Sequence, residues 1–283
     1  MTHHWTGIRR LMRFLVLVTA LLGGCAPAGN ATPTARPAEP SAEGTGTLTV
    51  FAAASLTDAF GEMGALFEAD HPGLTVAFNF AGSNQLATQI GEGAPADVFA
   101  SANAAQMDVA VGAGRVDAGA PRRFVTNRLV IVYPADNPAG ITALPDLAKP
   151  GTLIVLAAEQ VPVGRYSLEF LDKAAADAAF GAAFKDDVLA NVASYEENVR
   201  SVLNKVALGE ADAGIVYSSD LVGVAGVGSL EIPDAHNVLA EYPIAPLNDS
   251  AQAGLAQAFV DLVLSDQGQS ILAGYGFGPA TAP

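Results

Sequence analysis

Two serines occupy the same kind of place in this 283-residue chain. Ser55 follows the apolar run Thr47 to Ala52 (TLTVFA), and Ser83 follows the alternating run Leu74 to Phe80 (LTVAFNF). A stretch of helical spacing comes next in each case: Leu56, Phe60, Met63 and Phe67 after the first, Leu86 and Ile90 after the second. Small hydroxyls at strand-to-helix turns suit one chemistry in particular. A helix N-terminus presents N–H groups without acceptors and the positive end of the macrodipole, so it attracts anions, and a serine hydroxyl adds a donor without bulk. Ser55 and Asp58 also have the spacing of a capping box, which predicts Ser55 at the start of its helix. A helix cap explains a lone serine equally well, so the pair has weight only alongside the rest of the chain.

Other chemistries find less material. The sequence has no G-x-S-x-G elbow, no phosphate-binding G-x-x-x-x-G-K-[ST] loop, no H-E-x-x-H, and no G-x-G-x-x-G opening a helix after a strand. His71, beside Pro72-Gly73, and His236, in a loop, read as solvated polar residues and not as general bases. The acid pairs Asp186-Asp187 and Glu196-Glu197 read as solvated faces and not as glycosidase carboxylates. A single Cys forbids an internal disulfide framework, and four His leave too little for a Cys/His metal cage. With 29 acidic against 14 basic residues the net charge is −15, the wrong sign for a nucleic-acid binder.

The N-terminus reads as an address. Arg9, Arg10 and Arg13 precede the apolar run Phe14 to Leu22, a signal-peptide core too short for a comfortable membrane span. It ends in Leu22-Gly23-Gly24-Cys25, which resembles a bacterial lipobox, so residues 1–24 are expected to be a lipoprotein signal peptide and Cys25 the lipidated residue that anchors the chain to a membrane. Cleavage there would remove three arginines and Trp5, the only Trp. Residues 25–46 are rich in Ala, Pro, Thr and Gly without apolar periodicity, as expected of a flexible tether.

The elements that must position the serines follow from residue 47 onward. A chain 51% hydrophobic and 15% charged can bury a substantial core, and its strand-helix alternation predicts an α/β fold with two plausible sheets. Further strands are expected at Asp97 to Ala100, Leu129 to Tyr133, Leu153 to Ala157 and Ala213 to Tyr217. A helix after Glu197 carries Val199, Val202, Leu203 and Val206 on one stripe and stops at Gly209, and another spans about Ala251 to Leu264.

The segments VFAAASLTDAF, FAGSNQLATQIGEGAPADVFASA, VPVGRY, ENVRSVL and GIVYSSD, in this order and spacing, resemble the periplasmic molybdate-binding proteins of ABC transporters, from about residue 47 to the C-terminal YGFG. The resemblance implies a two-lobed type II periplasmic-binding-protein fold with a ligand cleft between the lobes. One lobe would comprise residues 47–125 plus 243–283 and the other 126–242, with two hinge crossovers, the returning one at EYPIA, 241–245. By the same resemblance the oxyanion is held by Ser55 and Ser83 through hydroxyl and backbone donors, by Val163 and Val199 through the main chain, and by the phenol of Tyr217. Val163 stands where a well-known family version has Ala, a bulkier residue that would narrow the cleft, and Asn84 is a further amide near the second serine.

The implied function is that of a non-enzymatic, extracytoplasmic lipoprotein. It would capture molybdate or tungstate and pass it to an ABC transporter permease, working as a monomer without a cofactor; molybdenum would enter only as the bound oxyanion. A site of neutral donors suits such an anion, because ordered dipoles carry no ionic desolvation cost. Hydrogen phosphate would bring a proton that finds no acceptor, whereas sulfate would have to be rejected by size. Sulfate or another oxyanion on the same fold, and an extracytoplasmic enzyme on the same scaffold, are the alternative readings.

Overall fold

The computed structural model describes residues 46–280, so the expected signal peptide, the expected lipidation position Cys25 and nearly all of the expected tether lie outside the described residues. The chain opens with β1 (Gly46–Ala53), α1 (Thr57–Asp70), β2 (Leu74–Ala81), α2 (Ser83–Gly91), β3 (Val98–Ala100) and α3 (Ala104–Gly112). A long strand, β4 (Arg122–Pro134), leads to β5 (Ile154–Ala157), α4 (Pro162–Ala176), α5 (Phe184–Ala190), β6 (Val192–Glu196) and α6 (Val199–Ala207). Then come β7 (Ala213–Tyr217), β8 (Val227–Glu231), β9 (Leu239–Pro246), α7 (Ala253–Leu264), α8 (Asp266–Gly274) and the short β10 (Gly278–Pro279).

Strand pairing forms two sheets that share β4. In the first, the order is β2-β1-β3-β9-β4, with β10 also on β4; β1 runs parallel to β2 and β3, while β9 is antiparallel to β3 and β4. In the second, the order is β4-β7-β5-β6, with β8 also on β4; β5 is parallel to β6 and β7, and β4 is antiparallel to β7 and β8. The 13 residues of β4 divide between the two, Arg122 to Arg128 pairing with β9 and Leu129 to Pro134 with β7 and β8. The boundaries expected at 125/126 and 242/243 thus fall inside β4 and β9.

Helices cover both faces of the first sheet, which is why β1 carries an almost unbroken apolar run instead of a strict alternation. Leu48 and Val50 face α1, joining a core in which the rings of Phe60, Phe78, Phe124 and Phe259 lie 5.8–6.4 Å apart. Gly64 of α1 is required there, since a Cβ would lie 2.6 Å from the Phe78 ring. Phe51 points the other way, into a separate cluster with Leu86 and Ile90 of α2 and Met107 of α3. Around the second sheet, α6 packs its stripe of Val199, Val202, Leu203 and Val206, and α4 contributes Phe170 and Leu171.

Two expectations are corrected. Ser55 does not begin α1: it sits in a 3-10 turn, Ala54–Leu56, and α1 starts at Thr57 without a side-chain cap, so no capping box with Asp58 forms. His236 lies in a turn, as expected, but is not solvated there; its Nε2 lies 2.9 Å from Asp177 Oδ2 and its ring packs edge-on against Phe180.

Candidate oxyanion site

Ser55, Ser83, Val163, Val199 and Tyr217 line one small cavity of about 20 Å³. They arrive from separate places: the turn after β1, the start of α2 after β2, the start of α4 after β5, the start of α6 after β6, and the end of β7. Each lies at or beyond the C-terminal end of a strand, where α/β sheets place their ligands. A larger cavity of about 560 Å³ lies elsewhere, along Thr126, Arg128, Asp234 and Phe277, and includes none of the five.

The hydroxyls are held in ways that leave hydrogens to give. Ser83 is buried as the first residue of α2, and its Oγ accepts the Ala102 N–H at 3.0 Å, so its own hydrogen is not committed by that bond. Ser55, 3% exposed, shares a 2.9 Å hydrogen bond with the Tyr242 hydroxyl. Asn127 Nδ2 in turn donates to Tyr242 Oη at 3.4 Å and to Ser219 Oγ at 2.7 Å. If the Tyr242 oxygen takes the Asn127 hydrogen, its own proton goes to Ser55, and the Ser55 proton is left for the cavity.

Tyr217 is 1% exposed, and its buried hydroxyl has no hydrogen-bond partner among the described residues. Burial pushes its phenol pKa well above the usual value, so the group stays a neutral donor. Native structures rarely leave such an atom unpaired. By geometry the hydroxyl makes no hydrogen bond among the described residues, with the Tyr242 ring its aromatic neighbour at 5.9 Å.

Main-chain donors come from the helix starts. In α4, Pro162 takes the first helical position, where its missing N–H costs nothing, and Val163 follows. Val163 is 1% exposed and forms part of the main hydrophobic core. Gly164 follows because the turn is tight: a Cβ there would lie 2.1 Å from the Ala158 carbonyl oxygen. In α6, Asn198 is the N-cap and its Oδ1 accepts the Ser201 N–H at 2.9 Å, which leaves the N–H of Val199, the first helical residue, without an intrahelical acceptor. Gly82 allows α2 to approach the turn before α6, where a Cβ would lie 2.5 Å from the Glu197 carbonyl oxygen.

No ionised side chain lines the cavity. The nearby guanidinium of Arg200 is engaged by Asp58 at 2.6 Å and Asp220 at 3.1 Å. Burial pushes the Asp220 carboxyl up to about 6 against the lowering effect of Arg200. No group of three His, Cys, Asp or Glu among the described residues could hold a metal ion. Sequence reasoning missed Tyr242, Asn127 and the Arg200 cluster; only Asn198 had a local signal, standing three residues before Ser201 at a helix start.

Residues 48–278 match the family model described as bacterial extracellular solute-binding protein. The molybdate-binding protein ModA of Mycobacterium tuberculosis is 42% identical over 263 residues, covering 92% of this chain and 95% of the relative. The periplasmic molybdate-binding protein of Azotobacter vinelandii superposes with a TM-score of 0.71 at 19% identity, covering 83% of this chain and 99% of that one. The sulfate-binding protein SubI of Mycobacterium tuberculosis superposes with a TM-score of 0.74 at 21% identity, covering 82% and 86%. These last two likenesses establish the fold, which is that of the periplasmic binding proteins. By the family model and by its identity to relatives along most of its length, the chain belongs to the bacterial extracellular solute-binding proteins, within the ModA molybdate-binding family.

Proposed function

We propose that the chain captures molybdate or tungstate in the cavity between Ser55, Ser83, Val163, Val199 and Tyr217 and delivers it to an ABC transporter permease. The observation that carries this reading is the meeting of five neutral donor positions, from separate strand ends, in one cavity without an ionised side chain. Donors of this kind match an oxyanion that only accepts hydrogen bonds, each worth roughly 1.5–3 kcal/mol to a charged partner. The solute-binding family to which the chain belongs binds and does not catalyse.

In this reading residues 47–125 plus 243–283 form one lobe and 126–242 the other, and they close about the crossings in β4 and β9. Cys25 carries the lipid that holds the protein at the outer face of a membrane, with residues 25–46 as its tether, and the protein acts as a monomer. Among the described residues no helix is long and apolar enough to cross a membrane.

Isothermal titration of the full chain in detergent with molybdate, tungstate, sulfate and hydrogen phosphate tests the ligand. Tight one-to-one binding of the first two alone is expected. Binding of sulfate with equal affinity would overturn the ligand while leaving the fold, and no heat with any of the four would overturn the site.

A further inference from the structure

Arg200 stands immediately after Val199, and its guanidinium reaches two carboxylates at once. Nη2 lies 2.6 Å from Asp58 Oδ2, and Nε lies 3.1 Å from Asp220 Oδ1. The partners belong to different walls of the cavity. Asp58 is the second residue of α1, three positions beyond Ser55. Asp220 lies in the turn after β7, and its other oxygen accepts the Tyr217 N–H at 3.1 Å. One side chain is thereby linked to three cavity residues: Val199 by the chain, Tyr217 through Asp220, and Ser55 through the first turn of α1.

The two contacts differ in kind. Asp220 is fully buried and its Oδ1 pairs with Nε by ion-pair distance, without hydrogen-bond geometry; a buried carboxylate deprived of its cation is strongly destabilising, so this pairing is expected to persist. The Asp58 side chain is 45% exposed and that of Arg200 23% exposed, so Asp58 can leave the guanidinium and be hydrated without burying an unpaired charge. The arrangement is a fixed anchor on one wall with a releasable contact to the other.

From this we infer that Arg200 is a positioning residue for the bound anion: it holds the Ser55 wall against the Val199 and Tyr217 wall and slows the anion's escape. The inference rests on the oxyanion reading above. It assigns Arg200 no contact with the anion itself, which keeps the cavity free of ionic side chains while using a charge beside it to keep the walls together.

The test removes only the releasable contact. In the Asp58→Asn variant of the full chain, chase of labelled molybdate by excess unlabelled molybdate is expected to show dissociation about fivefold faster than wild type. Association and the ligand-free melting temperature should stay unchanged, and Asp58→Glu should restore slow release. Raising NaCl from 50 to 500 mM should speed release from wild type more than from Asp58→Asn, because only the former has the exposed Arg200–Asp58 pair between the two walls to screen. Wild-type release from Asp58→Asn, or a loss explained by a fall in ligand-free stability, would overturn the inference alone. A wild-type chain that takes up no molybdate would overturn the ligand assignment, and this inference with it.

Discussion

The Tyr217 hydroxyl is buried without a partner, and that gives it an unusual mutational signature. A buried polar atom left unsatisfied costs about 1–3 kcal/mol, so deleting it should not weaken the empty protein. Tyr217→Phe is therefore expected to melt at or above the wild-type temperature without ligand, yet to bind molybdate at least tenfold more weakly by titration calorimetry. A fall in both together would make the hydroxyl structural. Asp220 leads to a second expectation at this scale. Burial pushes its carboxyl in the folded protein up to about 6 against 3.8 for the free group, so the folded protein holds that proton more tightly. The resulting stability is fully present below about 3.8 and is lost as the pH rises through about 6. In urea unfolding at several pH values, the stability of wild type relative to Asp220→Asn should fall across that window, and a flat difference would refute it.

At the scale of elements, the site depends on how tightly helices start after strands. The β5–α4 turn has no space for a side chain at position 164, where a Cβ would meet the Ala158 oxygen at 2.1 Å and the Ala157 oxygen at 2.5 Å. Those contacts are to backbone, which cannot swing aside. Gly164→Ala is expected to displace the start of α4, lowering the melting temperature by several degrees and weakening molybdate binding through Val163; unaltered melting would show the turn to be looser than its geometry. This glycine was visible in the sequence as part of VPVGRY, although its steric reason was not. The strands legible in the sequence are β1, β3, β5, β7 and the second half of β4, compact apolar runs, and β2, an alternating one. β6 (VASYE) and β8 (VGSLE) gave no such signal, because they are short and half-exposed, and they exist as strands through pairing with β5 and β4. The spacing of Ser55 and Asp58 predicts a helix cap, but the chain tightens into a 3-10 turn first and hands the hydroxyl to Tyr242, 187 residues away. No local pattern encodes a partner so distant.

For the whole molecule, the close approach of Gly82 to the Glu197 oxygen has a specific meaning under the two-lobe reading. Gly82 has φ −60°, an ordinary conformation for any residue, so alanine there is opposed by that backbone contact and by the Asn84 side-chain oxygen, which a Cβ would meet at 2.8 Å, and not by backbone strain. Gly82→Ala should leave the ligand-free melting temperature near wild type and weaken molybdate binding, because the methyl group obstructs closure and not folding. Equal loss of both would mean that the approach is part of the fold itself.

The only Trp of the sequence, Trp5, lies outside residues 46–280, so among the described residues aromatic ultraviolet signals come from tyrosine and phenylalanine alone. Tyr217 and Tyr242 meet edge-to-face at 5.9 Å, one lining the cavity and the other bonded to Ser55. An anion seated against the Tyr217 and Ser55 hydroxyls would change the field around the Tyr217 ring and, through Ser55, around that of Tyr242. The protein thus has an intrinsic optical reporter at its candidate site, readable as a shift in tyrosine absorption or near-ultraviolet dichroism without any attached dye.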